Sequence, residues 1–121
     1  MWRYFIGTLF FVLCISASHA AEAGNCFGPK VLERVIGGGH VDYDRFFTMC
    51  PGTAIISIDT YGTNPTVGLF IQAGSSGPIV CDRRFASDSH TCTFTVHQRQ
   101  RFYVRVINYA HHGVPYRFIS N

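Results

Sequence analysis

The sequence predicts an all-β protein: one antiparallel β-sandwich of about seven to eight short strands, held by disulfides. Three observations carry this. The stretch RFYVRVINYA (101–110) alternates without a break, placing Phe102, Val104 and Val106 on one side. Turn residues recur roughly every 8–12 positions, the rhythm of a small sandwich. Past the first two dozen residues no segment keeps a helical period, while the cysteines occur in even number.

The first twenty residues are set apart from the rest. Arg3 precedes an apolar run from Tyr4 to Ile15, and small residues follow up to Ser18-His19-Ala20. That is the layout of a secretory signal peptide, and the run is too short to cross a bilayer. Cys14 follows Val12-Leu13 rather than a small residue, which argues against lipidation. Residues 21–121 then form one mature domain that is secreted or periplasmic and free of the membrane after cleavage. It carries Cys26, Cys50, Cys81 and Cys92. In an oxidising compartment these predict two disulfides. Of the three pairings possible, Cys26–Cys50 and Cys81–Cys92 close the shortest loops, and each stabilises by about 3 kcal/mol in the chain-entropy model. The alternative use, a zinc site, lacks any C-x-x-C spacing.

The charge excludes one class of partner. The whole chain is +3, with Lys30 its only lysine, far short of the basicity of a nucleic-acid binder.

The strands follow in order. KVLERVI (30–36) reads as a helical turn or a first strand, ended by Gly37-Gly38-Gly39. DRFFTMC (44–50) is a strand stopped by Pro51-Gly52. TAIISIDTY (53–61) turns Ile56 and Ile58 to one side, and Gly62 to Pro65 form a turn. TVGLFIQA (66–73) points Val67, Leu69 and Ile71 inward. After the turn at 74–78, IVCD (79–82) is a short strand and RRFASDSH (83–90) a polar loop. TCTFTV (91–96) alternates Cys92, Phe94 and Val96 with threonines. The 101–110 strand comes next, and YRFIS (116–120) closes with Tyr116 and Phe118 inward.

Together, DYDRFFTMCPGTAIISIDTYGTNPTVGLFIQAG and CTFTVHQRQRFYVRVINYAHHGVPYRFI resemble the bacterial pre-peptidase C-terminal domain, a relative of collagen-binding jelly-roll modules. The shared features are Asp42, Asp44 and Phe46 in an opening Asp-x-Asp-x-aromatic strand, then Ile56 and Ile58, and then Val67, Leu69, Ile71 and Gly74. Phe102, Val104, Val106, Gly113, Tyr116 and Phe118 complete the pattern over about residues 40–119. The resemblance implies a jelly-roll-like sandwich that binds rather than catalyses. Unlike most members, this chain carries no attached protease, and its segment between Cys81 and Cys92 is bridged rather than acidic and glycine-rich.

Candidate functional residues fall into three groups. Arg101, Tyr103, Arg105 and Tyr109 share the outward side of the 101–110 strand. Tyrosine offers flat contact area and arginine planar donors, which suits an extended protein or glycan of the envelope or extracellular space; the competing reading is a plain sheet exterior with snorkelling arginine stems. Arg83, Arg84 and Phe85 in the bridged loop are the alternative, an inhibitor-like, chaperone-like or toxin-subunit contact. Asp42 and Asp44 are weak calcium candidates beside His40, and more simply cap backbone donors at a sandwich corner. His111-His112, with His40, His90 and His97, read as exposed turn residues rather than ligands. No G-x-S-x-G, H-E-x-x-H or P-loop pattern occurs, and Ser87, Asp88 and His90 stand too close in sequence for a triad. The expectation is a non-enzymatic binding module with no cofactor.

Overall fold

The computed structural model describes residues 23–121, apart from the side chains of 43–45. The expected signal peptide and Cys14 lie outside these residues. Nine strands form: β1 Gly24–Asn25, β2 Lys30–Ile36, β3 Val41–Cys50, β4 Gly52–Asp59, β5 Val67–Gln72, β6 Ile79–Ser87, β7 Ser89–Val96, β8 Gln100–Asn108 and β9 Val114–Ser120. Two antiparallel sheets stack as a jelly-roll-like sandwich, one ordered β1-β3-β8-β5-β6 and the other β2-β9-β4-β7. Only β5 and β6 are joined as a hairpin within one sheet; every other connection passes between the sheets.

The ambiguous segment at 30–36 is a strand. All seven of its residues pair with β9, from Lys30 opposite Ser120 to Ile36 opposite Val114. This in-register ladder satisfies the backbone along its whole length, which a single helical turn does not. Two expectations need correction. The strand at 44–50 begins three residues earlier, at Val41. The polar stretch 83–90 is not a loop: β6 runs to Ser87, and with only Asp88 between them the chain enters β7 in the other sheet. Polarity misled because β6 is an edge strand and most of its side chains are exposed.

Alternation sets the core. Phe102, Val104 and Val106 of β8, Val67, Leu69 and Ile71 of β5, Ile56 and Ile58 of β4, and Val114, Tyr116 and Phe118 of β9 all face inward and are buried. Phe47 stacks on Phe118 across the two sheets, ring centroids 5.2 Å apart, and Phe94 packs on Phe102 at 5.1 Å. Both disulfides form as paired in the sequence reading. Cys26–Cys50 ties the segment after β1 to the end of β3, and Cys81–Cys92 joins β6 to β7, one strand from each sheet.

Buried polar groups are placed where the sandwich needs them. The Tyr116 hydroxyl donates to Asp42 Oδ2 at 2.5 Å. His90 holds its Nε2 2.8 Å from the Val67 carbonyl and 3.0 Å from that of Phe85, so its ring bridges the two sheets where the chain crosses between them. Asn108, 1% exposed, occupies the inward position that follows Val106 and binds the loops at one end of the sandwich.

Candidate functional site

The outward side of β8 sits in the middle of the five-stranded sheet, between β3 and β5. Register places Arg105 directly opposite Phe70, and Phe70 opposite Asp82 on β6. Phe70 is outward by alternation yet only 3% exposed. Its cover is a pair of guanidinium groups, Arg105 with Cζ 4.2 Å from the ring centroid and Arg84 at 4.5 Å. Cations over an aromatic face are attracted by its quadrupole, and the planar guanidinium also stacks well. One strand further, Arg101 lies 4.6 Å over the ring of Phe46, and Tyr103 packs against the same ring at 5.1 Å.

The electrostatics of this platform are uneven. Arg84 is neutralised: its Nε and Nη2 donate to the two carboxylate oxygens of Asp82, each at 2.7 Å. These hydrogen bonds, helped by the charge attraction, hold the Asp82 carboxyl below its ordinary value and raise Arg84 above its own. Arg101 and Arg105 have no ion pair among the described residues, and the Arg105 Nε is buried without a hydrogen-bond partner there. Three guanidinium groups against one described carboxylate leave an excess of two positive charges across strands β3, β8, β5 and β6.

Tyr109, just beyond β8, closes one side of the platform. A Cβ at Gly68 would come 3.0 Å from its ring and 3.2 Å from the Arg83 carbonyl oxygen, so glycine is what lets the ring settle there. Arg101, Tyr103, Arg105 and Tyr109 therefore share one surface, as expected from their spacing. The second group divides. Arg84 joins the platform through Phe70, whereas Arg83 stands opposite inward-facing Leu69 at the exposed edge, and Phe85 makes an edge contact with His90 at 4.8 Å. No protruding loop presents the three together, because the segment is paired strand. Arg117 belongs to the other sheet, where it bonds Asp59.

Asp42 bonds the Tyr116 hydroxyl rather than backbone donors at a corner; the Asp44 side chain lies outside the described residues. Among the described residues no three His, Cys, Asp or Glu side chains gather as a metal site. His111 and His112 are exposed in the turn before β9, His97 lies in the β7–β8 turn, and His90 is buried. Sequence reasoning missed Phe46 and Phe70, the rings under the arginines. Their signal was there to use: two aromatics in outward positions on strands that flank an Arg-rich one.

No protein-family model matches the chain, and no curated protein matches it. Among solved structures it is similar to a periplasmic inhibitor of g-type lysozyme from Aeromonas hydrophila, PliG, with a TM-score of 0.56 over 84% of this chain and 90% of that one. Identity is 10%, so the likeness is one of fold alone.

Proposed function

We propose that this chain is an exported, non-catalytic binding protein of inhibitor type, and that its platform of stacked arginines docks against an acidic region of a partner protein. The observation that carries the reading is the placement of Arg84 and Arg105 over the single ring of Phe70. Stacking holds the guanidinium planes in place before any partner arrives, so little side-chain freedom is lost on binding. Central arginines and tyrosines are also the residues that dominate protein interfaces. Support for an inhibitor comes from the fold shared with PliG, and support for export from the two disulfides. The likeness of the strand pattern to pre-peptidase C-terminal modules belongs to the same proposal, since those too bind without catalysing.

The test is direct. The mature protein is titrated into g-type and c-type lysozymes while lysis of a peptidoglycan suspension is followed, and binding is measured in parallel by calorimetry. Inhibition of a g-type enzyme at near-equimolar ratio, lost in Arg84→Ala/Arg105→Ala, is the expected result. A wild-type protein that neither binds nor inhibits any of these enzymes overturns the lysozyme assignment. A second reading, an anionic glycan on the same platform, is favoured by the spread of its positive charge over four strands. Salt-dependent retention on heparin together with indifference to every protein partner would select it.

A further inference from the structure

Segments 37–40, 60–66 and 109–113 lie at one end of the sandwich, joining β2 to β3, β4 to β5 and β8 to β9. One buried amide holds all three. Asn108 Nδ2 donates to the carbonyls of Ile36, Gly37 and His112 at 3.3, 3.1 and 2.9 Å, while its Oδ1 accepts from Ala110 N at 3.0 Å and Thr66 Oγ1 at 3.3 Å. Backbone bonds complete the clamp: Gly39 N to Ala110 O at 2.7 Å, Asn108 N to His40 O at 3.0 Å and Tyr109 N to Thr66 O at 2.8 Å. Gly38 is pressed onto the backbone of His111, where a Cβ would sit 2.3 Å from the carbonyl carbon.

This end is more ordered than simple connectors need. Buried Thr60 donates its hydroxyl to the carbonyl oxygens of Asn64 and Asp88. The next residue, Tyr61, is held at φ 59°, the one non-glycine residue at positive φ among those described. A tyrosine in the left-handed region is strained, and such strain persists where the surroundings impose it and recurs at functional sites. Tyr61 is nevertheless 47% exposed and Tyr109 45%.

What the ordered end displays has a definite chemistry. The three segments contain no Asp, Glu, Lys or Arg. They present His40, Tyr61, Tyr109, His111 and His112, with the Asn64 amide 3.4 Å from the His112 ring. Exposed tyrosine with small polar residues and glycine is the composition of antibody combining loops; the segments add no charge of their own, and Tyr61 reaches toward Glu33, Asp59 and Arg117 of the four-stranded sheet, the Arg117 Cζ lying 5.7 Å from its ring centroid. Tyr109 also borders the arginine platform through Gly68, so the two surfaces are continuous.

We propose that this loop end is a second protein-recognition surface, prebuilt around Asn108, that meets a hydrogen-bonding region of the same partner whose acidic region meets the platform. It rests on the protein-binding function proposed above. The test uses immobilised g-type lysozyme and four forms of the mature protein: wild type, Arg105→Ala, His111→Ala/His112→Ala and Tyr61→Gly. The altered loop residues are exposed, and melting temperature is measured for each form. Expected is an affinity loss of about tenfold or more in both loop variants, with an unchanged melting temperature for the histidine pair and an unchanged or raised one for Tyr61→Gly, because glycine takes positive φ without strain. Wild-type affinity in both loop variants, with Arg105→Ala still impaired, overturns the loop surface and leaves the platform standing. Absence of wild-type binding removes the lysozyme-binding function and this inference with it. Saturable binding of chitohexaose by wild type, lost in the histidine pair, makes the end a glycan site and overturns its assignment to protein.

Discussion

The hydroxyl of Tyr116, on β9 of one sheet, donates to the carboxylate of Asp42, on β3 of the other, at 2.5 Å. Tyr116 is fully buried, so its polar tip is tied to a partner across the core. Replacing Asp42 by alanine removes that acceptor, and the cost expected for such a loss is about 1–3 kcal/mol. Denaturant unfolding checks it. Because Asp42 is engaged in this way, millimolar calcium should leave the melting temperature of the wild-type protein unchanged.

Arg105 is only half outside. It covers Phe70, so Arg105→Ala should not be neutral for stability, contrary to what a purely solvent-facing position implies. A loss of about 0.5–1 kcal/mol is expected from the stacking and the exposed ring. A cost below about 0.2 kcal/mol in urea unfolding would show that the guanidinium does not shield the ring in solution.

The Asp82–Arg84 pair predicts a direction with pH. Hydrogen bonds from Arg84 lower the Asp82 carboxyl in the folded state. A group depressed on folding contributes stability that is fully present above its unfolded value and is lost as the pH falls through the folded one. The pair therefore persists at neutral and mildly acidic pH and opens only below the ordinary carboxylate range. Carboxyl-carbon NMR titration of Asp82 should give a midpoint below that of an unstructured aspartate, and Arg84→Ala should return it toward the ordinary value.

The bridge between Cys81 and Cys92 joins the edges of the two sheets, with 11 residues of separation. Replacing both cysteines by alanine should cost about 3 kcal/mol by the loop-entropy relation, read as a shift of the denaturation midpoint. No alkylatable thiol should be found among the mature cysteines of the native protein.

Much of the fold was legible because alternation reports burial directly. Val104 and Val106 are fully buried as their parity requires, and Val104→Ala should cost about 1–3 kcal/mol. The disulfides were legible from spacing. The strand at 83–87 was not, because an edge strand has little to bury and so carries no apolar period. The platform was half legible: parity collected Arg101, Tyr103, Arg105 and Tyr109, but cross-strand register decides what lies beside them, and register is not written in one strand. Asn108 was readable in principle. It continues the series Phe102, Val104, Val106, and a polar side chain at an inward position demands a buried set of partners.

The pairing of β2 with β9 sets a timetable. Among the described residues Lys30–Ile36 has no neighbour in its sheet except Val114–Ser120, and β4 leans on the same strand from the other side. The four-stranded sheet thus stays open until the final strand is delivered, and a chain dominated by such distant pairings folds slowly, over milliseconds to seconds. Until that strand arrives β2 has no partner in its sheet, while β4 and β7 can already pair. Removing residues 114–121 should therefore cut β2 loose and leave β4 and β7 as an isolated pair.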